Sequence, residues 1–306
     1  MFASPNLRIT SSAASRSRLL RAACLAALVA TSACSRLGIG NEGAPTAPSG
    51  PPAAGAAIVY SAVGASDVLG IGASQPCFLF EDCNGTGYVW VAARQLRAQN
   101  FTVTVQSLGI PAAVISRSFQ DLGTQNGRTI GGNMIDQEMP FVRANADLVT
   151  VFTGGNEVNT ITAALNNGAG GSDATAFIDR QVSTFASDYQ TLINGIRRQA
   201  PRARIIVMNL PNMAALPYLA NASLAQRQAA QRASVRMTTT AINTLQGVTV
   251  IDLMCDPRLY QASAFSSDGF HPNDQGYAAL GAEVVRAYTG TSYPAPASSC
   301  AFMTRF

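Results

Sequence analysis

Five short runs of apolar and β-branched residues punctuate this chain, separated by longer stretches with helical spacing. The runs are residues 56–60, 101–105, 148–152, 204–208 and 248–251. Such runs fit strands buried on both faces. Between them the apolar spacing predicts helices over 176–200, 221–245 and 274–289. In the first, Phe177, Val182, Phe185, Tyr189, Leu192 and Ile196 form a stripe, and Pro201 ends it. In the last, Tyr277, Leu280, Val284 and Tyr288 share one face. Strand–helix alternation of this length implies an α/β fold with a parallel sheet covered on both sides. Ligands in such sheets bind beyond the carboxyl ends of the strands. Two connections are long: 110–146, with a helix expected near 133–143, and 157–175, rich in Asn, Gly and Ala and expected to be a loop. Long connections in compact domains are usually functional or mobile.

The first 33 residues do not belong to that pattern. Arg8, Arg16, Arg18 and Arg21 precede an apolar run, Ala22 to Ala30, and then Thr31-Ser32-Ala33-Cys34. A basic head, an apolar middle and small residues before a cut make a secretory signal over 1–33. The apolar run is shorter than the ~20 residues that span a bilayer. The ending resembles the lipobox of bacterial lipoproteins, in which the cysteine is lipidated and becomes the new N-terminus. Thr31 stands where that pattern usually has an aliphatic residue. The resemblance implies a lipid anchor on Cys34 and a place at the cell envelope; plain signal cleavage, with secretion, is the alternative. Residues 34–55, dominated by Gly, Pro, Ala and Ser, read as a flexible linker with few bulky apolar residues to pack, and the folded domain is expected over 56–306.

Export changes the charge argument. The chain has 21 basic and 17 acidic residues, and four of the basic ones lie in the signal, leaving a mature part of 17 against 17. That balance gives no support for nucleic-acid binding, which needs a basic patch on the folded domain. Beyond Cys34, four cysteines remain: Cys77, Cys83, Cys255 and Cys300. In an exported chain they suggest disulfides, with three pairings open. Cys77–Cys83 and Cys255–Cys300 are the expected pair. One histidine and no paired CxxC units leave no recognisable zinc ligand set.

The lone histidine, His271, sits in Ser267-Asp268-Gly269-Phe270-His271-Pro272-Asn273-Asp274. A serine hydrolase needs one imidazole as base and one carboxylate to fix its tautomer, and Asp268 can supply that within one tight turn. Alone, the stretch also reads as a polar surface turn. After the first strand, Gly64-Ala65-Ser66-Asp67 allows a sharp turn that exposes the Ser66 hydroxyl at a helix start, or merely caps that helix. After the second strand, Gly109 lets a backbone N–H approach a ligand. After the third, Asn156 follows Gly154-Gly155 and can donate to the same oxygen. Both also fit ordinary turn chemistry. Glu157 reads as a solvated charge. Met213, Leu216, Pro217, Tyr218 and Leu219 read as helix core, with an apolar acyl pocket as the alternative.

Ser, Gly and Asn after the first, second and third strands, with Asp-x-x-His before the last helix, resemble in their order the SGNH, or GDSL-type, hydrolase family over about residues 56–290. Its most specific piece is Asp268-Gly269-Phe270-His271-Pro272-Asn273 followed by Gly276-Tyr277. The resemblance implies a three-layer α/β/α sandwich with a five-stranded parallel sheet, and cleavage of carboxylic esters. It implies Ser66 as nucleophile, His271 as general base and Asp268 as its orienting acid. The backbone N–H groups of Ser66 and Gly109 and the Asn156 amide would form the oxyanion hole. No metal or organic cofactor is implied. Glu157 stands where the family often has Asp. The alternative is a surface lipoprotein that uses the fold only for binding.

Overall fold

The computed structural model describes residues 50–78 and 83–306. The expected signal peptide 1–33, Cys34 and residues 34–49 of the expected linker lie outside the described residues. Residues 50–55 form no regular element, yet they are not a free arm: the Arg204 guanidinium donates to the Gly50 carbonyl and Pro52 is half-buried.

Five parallel strands form one sheet in the order β2-β1-β3-β4-β5. They are β1 (Ala57–Gly64), β2 (Thr102–Ser107), β3 (Leu148–Phe152), β4 (Arg204–Met208) and β5 (Thr249–Ile251). Successive side chains of a strand point to opposite faces, and both faces are covered here. On one face Ile58, Tyr60, Val103, Leu148, Ile206 and Met208 pack under α1 (Tyr88–Ala98) and α7 (Asp274–Thr289). On the other, Val149, Val151, Ile205 and Val207 pack under α2 (Arg117–Gln125), α4 (Gly155–Asn166), α5 (Ala174–Gln199) and α6 (Leu224–Arg236). This is the expected three-layer sandwich. Burial of the α5 stripe, from Phe177 to Ile196, contributes about 1.5–3 kcal/mol per large apolar side chain.

Three expectations need correction. The stretch from 157 is helical: α4 covers Gly155–Asn166 and buries Val158, Ile161 and Ala164 at a spacing of three. Its polar start hides this, because Asn156, Glu157 and Thr160 are buried too. The helix expected near 133–143 is two short turns, α3 (Met134–Gln137) and a 3₁₀ turn at Met139–Phe141 that holds Pro140. The helix expected over 221–245 is α6 continued by a π-helical turn, Met237–Ile242. Both expected disulfides are formed, Cys77–Cys83 and Cys255–Cys300.

The strand order reverses between β1 and β3, opening a crevice at their carboxyl ends. The segments after β1, β2 and β3 carry Ser66, Gly109 and Asn156 to that end of the sheet.

Candidate active site

At the end of β1, Gly64 adopts φ +151°, and a Cβ there would lie 2.4 Å from the Phe152 carbonyl oxygen. Only glycine lets the chain leave the sheet this closely against β3. The exit is a run of tight turns, not the expected helix start: Val68 N–H donates to Ala65 O at 3.2 Å, and Leu69 and Ile71 N–H both donate to Ser66 O at 3.1 Å. Ser66 is nearly buried inside this coil.

His271 reaches Ser66 from the far end of the chain. A small antiparallel hairpin carries it, with Ser266 N–H donating to His271 O at 2.9 Å. Its tip is Gly269, at φ +68°; a Cβ there would meet the Tyr218 nitrogen at 2.6 Å. That glycine lets the hairpin dock on residues 217–218, where Tyr218 N–H donates to Gly269 O at 3.2 Å. Asn273 ends the hairpin and starts α7, its Oδ1 accepting from Gln275 and Gly276 N–H at 2.9 and 3.1 Å.

The hairpin aligns a relay. Ser66 Oγ lies 2.7 Å from His271 Nε2, and His271 Nδ1 lies 2.6 Å from Asp268 Oδ2. A carboxylate only accepts, so Nδ1 carries the proton and Nε2 is left to accept from the hydroxyl. Asp268 Oδ1 is occupied separately, by Ser266 Oγ–H and by the N–H groups of Phe270 and His271 at 2.8–2.9 Å. Partial burial works against the Asp268 charge, but the hydrogen bonds from the His271 ring, the two amides and Ser266 outweigh it, and the carboxyl titrates at about 2. Beside the imidazole, Asp67 behaves oppositely: burial pushes its carboxyl up, and nearby His271 only partly offsets this.

Among the described residues, the N–H groups of Ser66 and Gly109 have no hydrogen-bond acceptor. Gly109 presses on the Ser66 coil so closely that a Cβ would lie 2.8 Å from Ala65 O. The Asn156 amide spends one N–H on Ala113 O at 2.9 Å, which leaves its second for a ligand. Glu157 is not a solvated charge. It is wholly buried, and its Oε1 accepts from Ile115 N–H at 2.5 Å and Thr153 Oγ1 at 3.0 Å. Burial pushes its carboxyl up, with those hydrogen bonds opposing.

A model of the GDSL-like lipase/acylhydrolase family matches residues 62–279. The chain belongs to that family. No curated protein matches it. Among solved structures it is similar to a lipase, Lip_vut3, from a goat rumen metagenome, at 20% identity over 77% of this chain and 100% of that one, with a TM-score of 0.52. A phospholipase A1 from Streptomyces albidoflavus NA297 aligns at 16% identity over 75% of this chain and 98% of that one, TM-score 0.48. The first of these likenesses shows the shared fold. With the family established, the protein is an ester hydrolase, and the non-catalytic alternative gives way.

An apolar cavity of about 50 Å³ flanks the acylhydrolase's Ser66 coil and His271 hairpin, its walls including Phe152, Leu210, Met213, Leu216 and Phe270. Met213 and Leu216 therefore serve the cavity as well as the core, from 3₁₀ turns rather than a helix. Among the described residues no cluster of His, Cys, Asp and Glu could hold a metal ion.

Two residues of the surroundings escaped sequence reading. Glu138 is wholly buried 74 residues from Gly64, whose N–H donates to its Oε2 at 2.7 Å. Arg128 bonds the start of α4. Neither sits in a local motif; each is defined by a partner distant in sequence.

Proposed function

We propose that this acylhydrolase is an exported serine esterase that cleaves carboxylic esters through an acyl-enzyme formed on Ser66. The observation that carries the proposal is the unbroken chain Ser66 Oγ, His271 Nε2, His271 Nδ1, Asp268 Oδ2, with steps of 2.7 and 2.6 Å. Ser66 Oγ attacks the ester carbonyl carbon while its proton passes to His271 Nε2. Asp268 stays ionised and stabilises the imidazolium. The new oxyanion receives the N–H groups of Ser66 and Gly109 and the second Asn156 N–H; losing one such donor typically costs ~10²–10³ in rate. As the tetrahedral intermediate collapses, the imidazolium gives its proton to the departing alcohol. Water then attacks the acyl-serine, loses a proton to Nε2, and the acid leaves with Ser66 restored. The acyl chain lies in the apolar cavity bounded by Met213, Leu216 and Phe270.

Export is supported by the basic and apolar N-terminal sequence and by two disulfides. A lipid on Cys34 anchors the enzyme at the envelope in this reading. Radiolabelled palmitate should enter the wild-type chain and not Cys34→Ser; equal labelling would remove the anchor.

The test of mechanism is a serine-reactive fluorophosphonate. Mass spectrometry should find the adduct on Ser66, and His271→Ala should abolish labelling. An adduct on another residue, or undiminished labelling of His271→Ala, would overturn the assignment.

A further inference from the structure

We infer that Arg128 is a positioning residue of this site: its guanidinium clamps Asn156 at two oxygens and so fixes which way the Asn156 amide faces. The inference rests on the proposed role of Asn156 as an oxyanion donor.

The two ends of an asparagine amide have nearly the same shape, so only hydrogen bonds decide its orientation. The wrong orientation would turn a carbonyl oxygen toward a developing oxyanion. Here both ends are specified. Nδ2 faces the Ala113 carbonyl at 2.9 Å, and Oδ1 faces Arg128 Nη2 at 3.3 Å. A flip would set oxygen against oxygen at one end and amide N–H against guanidinium N–H at the other. The other arm, Nη1, donates to the Asn156 main-chain carbonyl and, at 2.7 Å, to Thr160 Oγ1. The fork therefore grips the first turn of α4 as well as the side chain, a geometry that a planar guanidinium provides and an ammonium does not.

Charge adds to geometry. A cation on Oδ1 draws electron density from the amide and strengthens the remaining N–H as a donor. Burial works against the guanidinium's charge, and the charges of Glu157 and, less strongly, Tyr218 offset it in part. The local chain is built to deliver it. α2 ends at Gln125, Gly127 turns at φ +78°, and Arg128 N–H returns to Gly123 O at 2.9 Å, a helix ending that glycine permits.

A double-mutant cycle on the purified enzyme with a soluble nitrophenyl ester tests this. Asn156→Ala should lower kcat ~10²–10³-fold, and Arg128→Ala about 10–100-fold with KM little changed. In the Asn156→Ala background, Arg128→Ala should cost less than about threefold in kcat, because the amide it orients is gone while its main-chain and Thr160 contacts have no donor to position. Millimolar guanidinium should restore part of the kcat of Arg128→Ala but not of the double variant. Arg128→Lys, which keeps charge without the fork, should fall between wild type and Ala, and it replaces Ala in the cycle if Arg128→Ala does not fold. Equal costs in both backgrounds, or a loss confined to KM, would overturn the inference while leaving Asn156 its role. An unchanged kcat in Asn156→Ala would instead remove the oxyanion reading, and the inference with it.

Discussion

Two walls meet at Ser66, and both use carboxyl groups to hold backbone amides, with opposite electrostatic results. The interior wall consists of the Ser66 coil, the Gly109 loop and the start of α4. Glu138 holds Gly64 N–H and Glu157 holds Ile115 N–H, both from full burial. Each keeps one oxygen, Glu138 Oε1 and Glu157 Oε2, without a partner among the described residues. Burial pushes both carboxyls up. The outer wall is the hairpin from Ser266 to Asn273. There Asp268 is 47% exposed at its side chain, every hydrogen bond it accepts favours the charge, and its carboxyl titrates at about 2. Burial without saturation makes a carboxyl a brace that tends toward neutrality; solvent with saturation makes it a dependable anion. The imidazolium of the proposed mechanism would need the second kind, and His271 is bonded to it.

The sharpest break of this comparison is at the junction. Ser66→Ala should remove nearly all turnover, on the order of 10⁴-fold or more. It should leave the thermal midpoint nearly unchanged, because among the described residues the hydroxyl's one side-chain partner is His271. Substantial residual hydrolysis in that variant would sink the serine mechanism.

On the outer wall, Asp268→Asn should cost about 10³–10⁴ in kcat. The new Oδ1 can still accept from Ser266, Phe270 and His271, so the hairpin should persist. The new amide, however, presents a donor to Nδ1, which drives the ring proton to Nε2, where it can no longer accept from Ser66. Steady-state rates on a soluble ester, with a crystal structure of the variant, would check both halves. A rate within about tenfold of wild type would show that Asp268 holds the loop and little else.

The two walls also differ in how far sequence revealed them. The outer wall is one continuous motif: Asp268 orients His271 three residues away and Asn273 caps the helix that follows, so its internal bonds are local even though Gly269 docks on residues 217–218 and His271 meets Ser66. The order of Ser66, Gly109 and Asn156 after successive strands was legible because strand ends converge in a parallel sheet. What braces the interior wall was not. Glu157 reads as solvated because a carboxylate is seldom buried, and the amide that captures it belongs to Ile115, 42 residues away. The helix of α4 was hidden for a related reason: Asn, Thr and Gly are poor helix formers, and tertiary contacts supply what propensity does not. Arg128 and Glu138 lie in the long 110–146 connection, where no periodicity marks an inward-facing side chain.

The smallest effect is also the most direct test of the opposition between the walls. Above the ordinary glutamate value of 4.5, the unfolded chain gives up the Glu138 proton while the folded chain retains it. The native state then binds more protons, so this group lowers stability as pH rises until the folded carboxyl also ionises. Glu138→Gln cannot titrate and keeps an acceptor for Gly64 N–H. Its thermal midpoint, relative to wild type, should therefore climb as pH rises above the ordinary glutamate value of 4.5. Asp268 predicts the reverse at the acid end. Its folded value lies below the ordinary 3.8, so its contribution is present above that value and is lost as pH falls toward about 2. Asp268→Asn should thus lack part of the wild-type's acid decline. Parallel stability curves for wild type and Glu138→Gln would mean that burial does not hold the Glu138 proton, and the distinction between the two walls would fail.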